Sequence, residues 1–294
     1  MTSGPEQPDA VGVLAAWGRL PIVVAQAMRD RGHKVICLGV RDHAVRADYE
    51  GIADSFHWIG PSQLGTAIRL FRRHGVRHAT MAGKFHKVKL YEPGAWIRYA
   101  PDWTGLKAFY SHFVGHSGDR KDDTLLGRIV EVFAKGGVTM EPATDFAPGL
   151  LAPEGLVAGK PLTAAQEADV AFGWQLAREM GRLDVGQSVC VHGRAAIAIE
   201  AIEGTDLCIQ RAGELCRSGG FTVVKVAKPN QDMRFDVPTV GVQTLESMRA
   251  AGARVLAIEA DRTILLDEAD FRRFAQKNRL TVVAKRVEAL CDAA

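Results

Sequence analysis

The sequence has no apolar run approaching the ~20 residues that span a bilayer, so no membrane-crossing helix is expected. It has no C-x-x-C pair among Cys37, Cys190, Cys208, Cys216 and Cys291. That spacing excludes a zinc ribbon or a redox dithiol, and an odd set of thiols fits a reducing, cytoplasmic compartment. Residues 1–10 carry Pro5, Glu6, Pro8 and Asp9 and lack the charge-then-apolar order of a signal peptide. An excess of either charge is lacking, with 37 Lys and Arg against 34 Asp and Glu. The formal net charge is +3, too small by itself to argue for nucleic acid, and no nucleic-acid partner is expected. No G-x-G-x-x-G follows the first apolar run, so the dinucleotide fingerprint is missing. What is present is a composition ordinary for globular proteins, 47% hydrophobic and 24% charged. A length of 294 residues suits two modest domains. Glycine, at 30 residues, exceeds the usual share of roughly 7% and implies tight turns and close backbone approaches.

Strand and helix signals alternate, the mark of an α/β protein. Residues 11–15 and 35–40 read as strands flanking a helix over 22–31, with Pro21 in its first turn and Gly32 past its end. Ser62 is a candidate cap for a helix whose apolar face is Leu64, Ala67, Ile68 and Phe71. A strand over 76–81 runs into Ala82-Gly83-Lys84, and a helix over 124–135 follows Asp122-Asp123. The pattern lapses between Glu141 and Lys160, where prolines and glycines gather. The domain boundary is placed there, giving domains 1–148 and 149–294. Thr163 and Gln166 then form a capping box for a helix reaching Met180. Strands over 188–191, 195–202, 221–227, 255–259, 264–266 and 280–284 build the second sheet.

Several features bear on chemistry. The turn Ala15-Ala16-Trp17-Gly18-Arg19-Leu20-Pro21 joins the first strand to the first helix. α/β proteins hold phosphates there, on helix N-terminal amides; a plain connecting turn is the alternative. No carboxylate lies between Asp54 and Glu92, whereas Arg69, Arg72, Arg73, Arg77, Lys84, Lys87 and Lys89 do. Such a field attracts phosphates or an anionic membrane surface, though a solvated helix face accounts for Arg69, Arg72 and Arg73. Lys84 follows Gly83 at a strand's C-terminal end, where open sheets take ligands. Helix capping explains at least one of Asp122 and Asp123, with a metal or water contact open for the other. The pairs His74/His78 and His112/His116 have the i, i+4 spacing of metal ligands. No H-E-x-x-H accompanies them, and Gly75 and Gly115 weaken the helices concerned. The richest segment is 225–241, K-V-A-K-P-N-Q-D-M-R-F-D-V-P-T-V-G. Its carboxylates suit Mg²⁺ or an ordered water, and its cations suit phosphate oxygens, as attack on a phosphoanhydride requires. A surface loop with internal salt bridges is the competing reading.

The most specific pattern is Lys228-Pro229-x-Gln231-x-x-Arg234-x-Asp236-x-Pro238-x-x-Gly241. With it come Gly181-Arg182-Leu183-Asp184-x-Gly186-Gln187, Glu200-Ala201-x-Glu203-Gly204-Thr205-Asp206, Ala82-Gly83-Lys84 and Asp122-Asp123-x-Leu125-Leu126. In these runs and their order the chain resembles the LpxI-type UDP-2,3-diacylglucosamine pyrophosphatases of lipid A biosynthesis. One departure is the first turn, where the family's A-G-G-G-x-L-P is thinned to Ala16-Trp17-Gly18-Arg19-Leu20-Pro21. The resemblance implies two α/β domains, the first Rossmann-like with a parallel sheet, the second a mixed sheet with helices. It implies hydrolysis of UDP-2,3-diacylglucosamine to UMP and 2,3-diacylglucosamine 1-phosphate with Mg²⁺ or Mn²⁺, water attacking the sugar-side phosphorus. Asp236 matches the family's essential aspartate, and Lys228 and Arg234 would stabilise phosphate charge. Gly204, Thr205 and Gln231 would contact the substrate, as would Gly18, Arg19, Leu20, Gly83 and Lys84 on the nucleotide half. Asp236, Asp122 and Asp123 are the metal candidates. The partners implied are the lipid-linked UDP-sugar and the inner face of the inner membrane, touched peripherally; a homodimer is a further expectation. Two other classes compete, a nicotinamide-dependent oxidoreductase and a non-catalytic nucleotide-binding regulatory module. The missing glycine fingerprint opposes the first of them.

Overall fold

A computed structural model of the chain describes residues 9–85, 99–114, 122–229 and 231–286, with side chains undescribed at 109–114 and 122–124. The chain folds as two compact units. One comprises Met1–Ala147 with Asp232–Phe235, the other Pro148–Gln231 with Asp236–Ala294.

The first unit is built on a five-stranded parallel sheet. Its strands are β1 (Ala10–Ala15), β2 (Lys34–Val40), β3 (Ser55–Ile59), β4 (His78–Ala82) and β5 (Thr139–Met140). Their order is β3-β2-β1-β4-β5, every pair parallel. Parallel sheets are covered on both faces, which is why β2 reads as an almost unbroken apolar run and is buried after Lys34. Helices α1 (Leu20–Asp30), α2 (Leu64–Arg73), α3 (Trp103–Val114) and α4 (Asp122–Lys135) connect the strands. The apolar stripe expected on α2 is the buried one: Leu64, Ala67, Ile68 and Phe71. Phe71 packs into the space left by Gly12, where a Cβ would lie 2.5 Å from its ring. Two expectations need correction. Ser62 does not cap α2; its hydroxyl donates to the Tyr99 carbonyl, and the Asp102 carboxylate takes the Gly65 and Thr66 amides instead. Asp122 and Asp123 lie within α4 rather than before it.

Strand order reverses between β1 and β4, since the chain passes from β1 out to β3 and then returns. In open α/β sheets a ligand crevice lies outside the strand C-termini at that switch point.

The second unit holds a six-stranded mixed sheet in the order β6-β13-β11-β9-β7-β8. Its strands are β6 (Gly155–Ala158), β7 (Ser188–His192), β8 (Ala195–Ile199), β9 (Thr222–Lys225), β11 (Val255–Glu259) and β13 (Thr281–Lys285). The central trio β13, β11 and β9 is parallel, while β6, β7 and β8 join antiparallel. Residues 264–266 were expected in this sheet. Instead β12 (Ile264–Leu265) pairs with β10 (Thr239–Val240) as a separate two-stranded sheet. Helices α6 (Ala164–Arg182), α7 (Thr205–Leu215), α8 (Val242–Ala251) and α9 (Glu268–Lys277) complete the unit, with a short α5 (Ala143–Phe146) preceding it in the first. One core, including Phe221, Leu256 and Phe271, lies with α7, α8 and α9; another, around Trp174, Val191 and Val224, lies under α6.

Candidate functional site

Most of the expected site residues gather at two helix starts, one in each unit, whose first amides have no side-chain cap; α8 and α9 also lack one, but neither begins in such a cluster of buried polar groups. In the first unit the helix is α1. Gly18 adopts φ +109°, and Arg19, at the cap position, makes no capping hydrogen bond. The β1 turn is tied to the end of β4 at the switch point. The Trp17 amide donates to the Lys84 carbonyl at 3.1 Å, the Lys84 amide returns to Trp17 at 2.8 Å, and the Ala16 amide donates to Ala82 at 2.9 Å. This pairing explains Gly83. Its φ is +98°, and a Cβ there would sit 2.8 Å from the Trp17 oxygen. Ala82-Gly83-Lys84 and the first turn, separate in sequence, therefore form one rim. Beside it opens a cleft of about 330 Å³ lined by Trp17, Gly18, Arg19, His43, Asp48 and Tyr49. The buried His43 ring stacks on Phe85 at 4.5 Å and 9°, its Nδ1 2.9 Å from the Arg41 carbonyl. Aromatic rings, a guanidinium and helix amides suit a planar base and an anionic group.

In the second unit the helix is α7. Gly204 caps it with φ +84° and no side-chain bond. A cluster of buried polar groups surrounds Thr205, the first helical residue. Its hydroxyl accepts from Lys225 Nζ at 3.2 Å and donates to Glu200 Oε1 at 3.1 Å. Ser188 Oγ lies 3.2 Å from the same oxygen. Lys225 Nζ also donates to the Thr239 carbonyl at 3.2 Å. Glu200 and Lys225 are buried side chains, and Glu200 Oε2 has no hydrogen-bond partner. Buried polar atoms without partners are uncommon in native folds and mark places where a ligand or water completes the set.

Two further motifs meet within the second unit. Lys228 Nζ donates to Asp184 Oδ1 at 2.7 Å, which joins the Lys228-Pro229 segment to Gly181-Arg182-Leu183-Asp184. The same contact explains Gly181, where a Cβ would stand 3.3 Å from Lys228 Cα and Pro229 Cδ. Gln231 Oε1 accepts the Lys228 amide at 2.8 Å, leaving its buried Nε2 unpartnered. Residues Asp232–Phe235 belong to the first unit. There Arg234 grips Asp232, with Nε 2.9 Å from Oδ1 and Nη2 2.5 Å from Oδ2. That guanidinium holds the Asp232 carboxyl below the usual carboxylate range and outweighs burial. Arg234 thus has a carboxylate partner before any phosphate arrives. The half-buried Asp236 carboxylate has no hydrogen-bond or ion-pair partner among the described residues.

The histidine pairs divide. His74 contacts His57, Nε2 to Nε2 at 3.0 Å, while His78 Nδ1 contacts Glu141 at 2.6 Å, so the two share no helix face. Burial, then His57, Lys34 and Arg73, lower the His74 pKa. The His112 side chain and His116 lie outside the described residues, as do the Asp122 and Asp123 side chains. Among the described residues no three His, Cys, Asp or Glu side chains form a group able to hold a metal ion.

Sequence reasoning counted Lys225 among the cations of the 225–241 segment and quoted Glu200 and Asp184 within motifs, but gave none of them a site role, and it passed over Ser188. The available signal was a lysine closing an otherwise apolar strand, a residue rarely buried unless its charge is used.

Comparison with known proteins decides the family. The model of the LpxI N-terminal domain matches residues 10–150, and that of the LpxI C-terminal domain matches residues 153–283. The chain belongs to the LpxI family. A curated LpxI relative, the UDP-2,3-diacylglucosamine pyrophosphatase of Caulobacter vibrioides, is 30% identical over 87% of this chain and 90% of its own. Likeness to solved structures is slight. The Thermus thermophilus UDP-glucose 4-epimerase complex with NAD gives a TM-score of 0.28 at 15% identity, over 53% of this chain and 41% of that one. A Campylobacter jejuni biotin carboxylase gives 0.26 at 11%, over 71% and 42%. The chain thus spans about two fifths of either protein, and LpxI membership rests on sequence.

Proposed function

We propose that this chain hydrolyses the pyrophosphate bond of UDP-2,3-diacylglucosamine, releasing UMP and 2,3-diacylglucosamine 1-phosphate for lipid A synthesis. The observation that carries the reading is the match of both LpxI domains, in order, along nearly the whole chain, with a curated relative of that activity. Each helix start, taken within its own unit, suits one part of that substrate. The α1 rim, through Gly18, Arg19, Leu20, Gly83 and Lys84, takes the nucleotide half. The α7 start, through Gly204 and Thr205, takes a phosphate on backbone amides, with Lys225 as the buried countercharge.

Asp236 orients the attacking water, whose oxygen bonds to the sugar-side phosphorus as the bridging P–O bond breaks. Its carboxylate lacks a competing partner, which leaves both oxygens able to accept from water. Lys228 and Arg234 stabilise charge on the phosphate oxygens, although each first exchanges a carboxylate, Asp184 or Asp232, for the substrate. Gln231 Nε2, buried and unpartnered, is a donor in waiting for a substrate oxygen.

The described residues by themselves do not fit a metal site, because Asp236 is not part of any group of three His, Cys, Asp or Glu side chains able to hold an ion. No step is therefore routed through Mg²⁺ or Mn²⁺, and a requirement for either is tested directly by chelation. A peripheral contact with the inner face of the inner membrane follows from the lipid substrate. The dimer expectation has sedimentation as its own check.

The decisive experiment follows UMP release from UDP-2,3-diacylglucosamine by the wild type and Asp236→Asn. The wild type turns over, and the substitution lowers kcat by roughly 1,000-fold. Equal rates would remove Asp236 from the mechanism. No turnover by wild type, with UDP-sugar still bound, would favour the nucleotide-binding module. In heavy-oxygen water the label appears in the sugar phosphate, not in UMP.

A further inference from the structure

The α7 start is bordered by large apolar side chains that the fold leaves in solvent. Ile202, two residues before the Gly204 cap, is fully exposed at 104%, and Leu207, in the first turn of α7, is 56% exposed. Leu183 and Val185, at 60% and 43%, flank Asp184, the partner of Lys228. The two loops are neighbours. Gly186 lies so close to Glu200 that a Cβ would stand 2.1 Å from its carbonyl oxygen, and the Glu200 amide donates to Ser188 at 2.9 Å. Single exposed apolar residues need no explanation, but four on two adjoining loops do. Between them they hold a helix start that is polar and anion-directed.

We infer that loops 182–187 and 200–207 form a lipid-facing rim by which the second unit dips into a bilayer surface. The inference rests on the lipid-linked substrate proposed above, whose covalent structure supplies the argument. The acyl chains sit on the same sugar ring as the diphosphate, so a group holding a phosphate at Gly204–Thr205 has those chains within a few bonds. A rim of Ile202, Leu207, Leu183 and Val185 lets the chains remain in the bilayer while the diphosphate reaches the α7 amides. The occupant is a phospholipid surface and not an anionic headgroup. The cations nearest in sequence are already paired, Arg182 with Glu179 and Arg211 with Glu203, so the rim offers apolar area more than charge. This differs from the basic stretch of residues 69–89, which would bind by charge alone.

The test is sedimentation of the full chain with neutral phosphatidylcholine vesicles, at low and high salt and without substrate. Wild type co-sediments, and high salt leaves it bound, because apolar insertion is not screened. The double variant Ile202→Ser/Leu183→Ser binds at least tenfold more weakly, with its thermal unfolding little changed because both side chains are mostly exposed, at 104% and 60%. A wild type that stays in the supernatant, or that high salt releases, overturns the proposal, as does a variant that binds as well. No substrate enters this measurement, so it is scored apart from the pyrophosphatase reading. Failure of that reading shows as absent UMP release from the wild type.

Discussion

The helices α1 and α7 begin alike and are surrounded differently. Each follows a glycine with positive φ, +109° at Gly18 and +84° at Gly204, and neither has a side-chain cap. Around α1 the neighbours are rings and a backbone bridge: Trp17, His43 against Phe85, and the Trp17–Lys84 pairing. Around α7 they are buried polar groups, Glu200, Ser188 and Lys225, converging on Thr205. The same local device, amides without a side-chain cap behind a glycine, thus sits in two chemically different settings. Aromatic walls suit recognition of a nucleotide base. A buried cation suits stabilising charge that grows during bond cleavage. Two other helices show the contrast with ordinary helix starts, since α2 is capped by Asp102 and α6 by Thr163.

The comparison breaks most visibly at the lysines. Lys225→Met removes the countercharge beside α7, and kcat should fall by roughly 100- to 1,000-fold, as when one preorganised donor is lost. Lys84→Met at the α1 rim should raise KM by roughly tenfold with a smaller change in kcat, since it acts on binding. Steady-state kinetics on UDP-2,3-diacylglucosamine separates the two, and equal effects would mean that the two helix starts do the same work. Glycines give the next largest difference. Gly83→Ala meets both a left-handed φ and the Trp17 carbonyl, and should destabilise the first unit by about 3 kcal/mol in urea unfolding. Gly204→Ala has open space around the new methyl and carries only the backbone strain of φ +84° with ψ 168°, about 1–2 kcal/mol. Similar losses would show that the Trp17–Lys84 rim is not rigid.

Capped helices supply a pH test. Asp102 accepts from the amides of Thr66 at 2.7 Å, Gly105 at 2.9 Å and Gly65 at 3.2 Å. Burial pushes its carboxyl up, but those amides together hold it below the ordinary 3.8. A lowered pKa means that the folded state favours the charged form. Its stabilisation is therefore complete above the ordinary value and is lost as pH falls beneath it. Asp102→Ala should cost about 1–2 kcal/mol at neutral pH, and the gap should close only below pH 3.8. A gap that closes nearer pH 6 would assign the effect to another group.

Much of this organisation is legible along the chain, and the remainder depends on contacts between distant residues. The α2 stripe and the Thr163–Gln166 box are local patterns, readable from spacing alone. Strand β6 escapes notice because it lies in the proline-rich stretch and exposes Leu156 at the sheet edge. Residues 264–265 read correctly as a strand, but their partner, 239–240, sits inside a segment dominated by charged residues. The site divides in the same way. Motif segments mark Lys228, Asp236 and Gly204–Thr205, whereas the contact of Lys228 with Asp184 joins residues 44 apart. No spacing rule announces that Lys225 turns inward to Thr205, because a strand's terminal lysine normally reaches solvent.

The smallest expected effect is at α6, and it serves as the control for the others. Thr163 Oγ1 accepts the Gln166 amide at 3.3 Å, and Gln166 Oε1 accepts the Thr163 amide at 2.9 Å. This reciprocal box satisfies two amides that α1 and α7 leave without side-chain partners. Thr163→Ala removes one of the bonds and should cost about 1 kcal/mol in urea unfolding. Activity should not change, because this helix start contains none of the site motifs and its cap is already made by its own side chains. An activity loss matching that of Lys225→Met would mean that any weakened helix start in the second unit impairs catalysis. The special status given to the uncapped α7 would then fail.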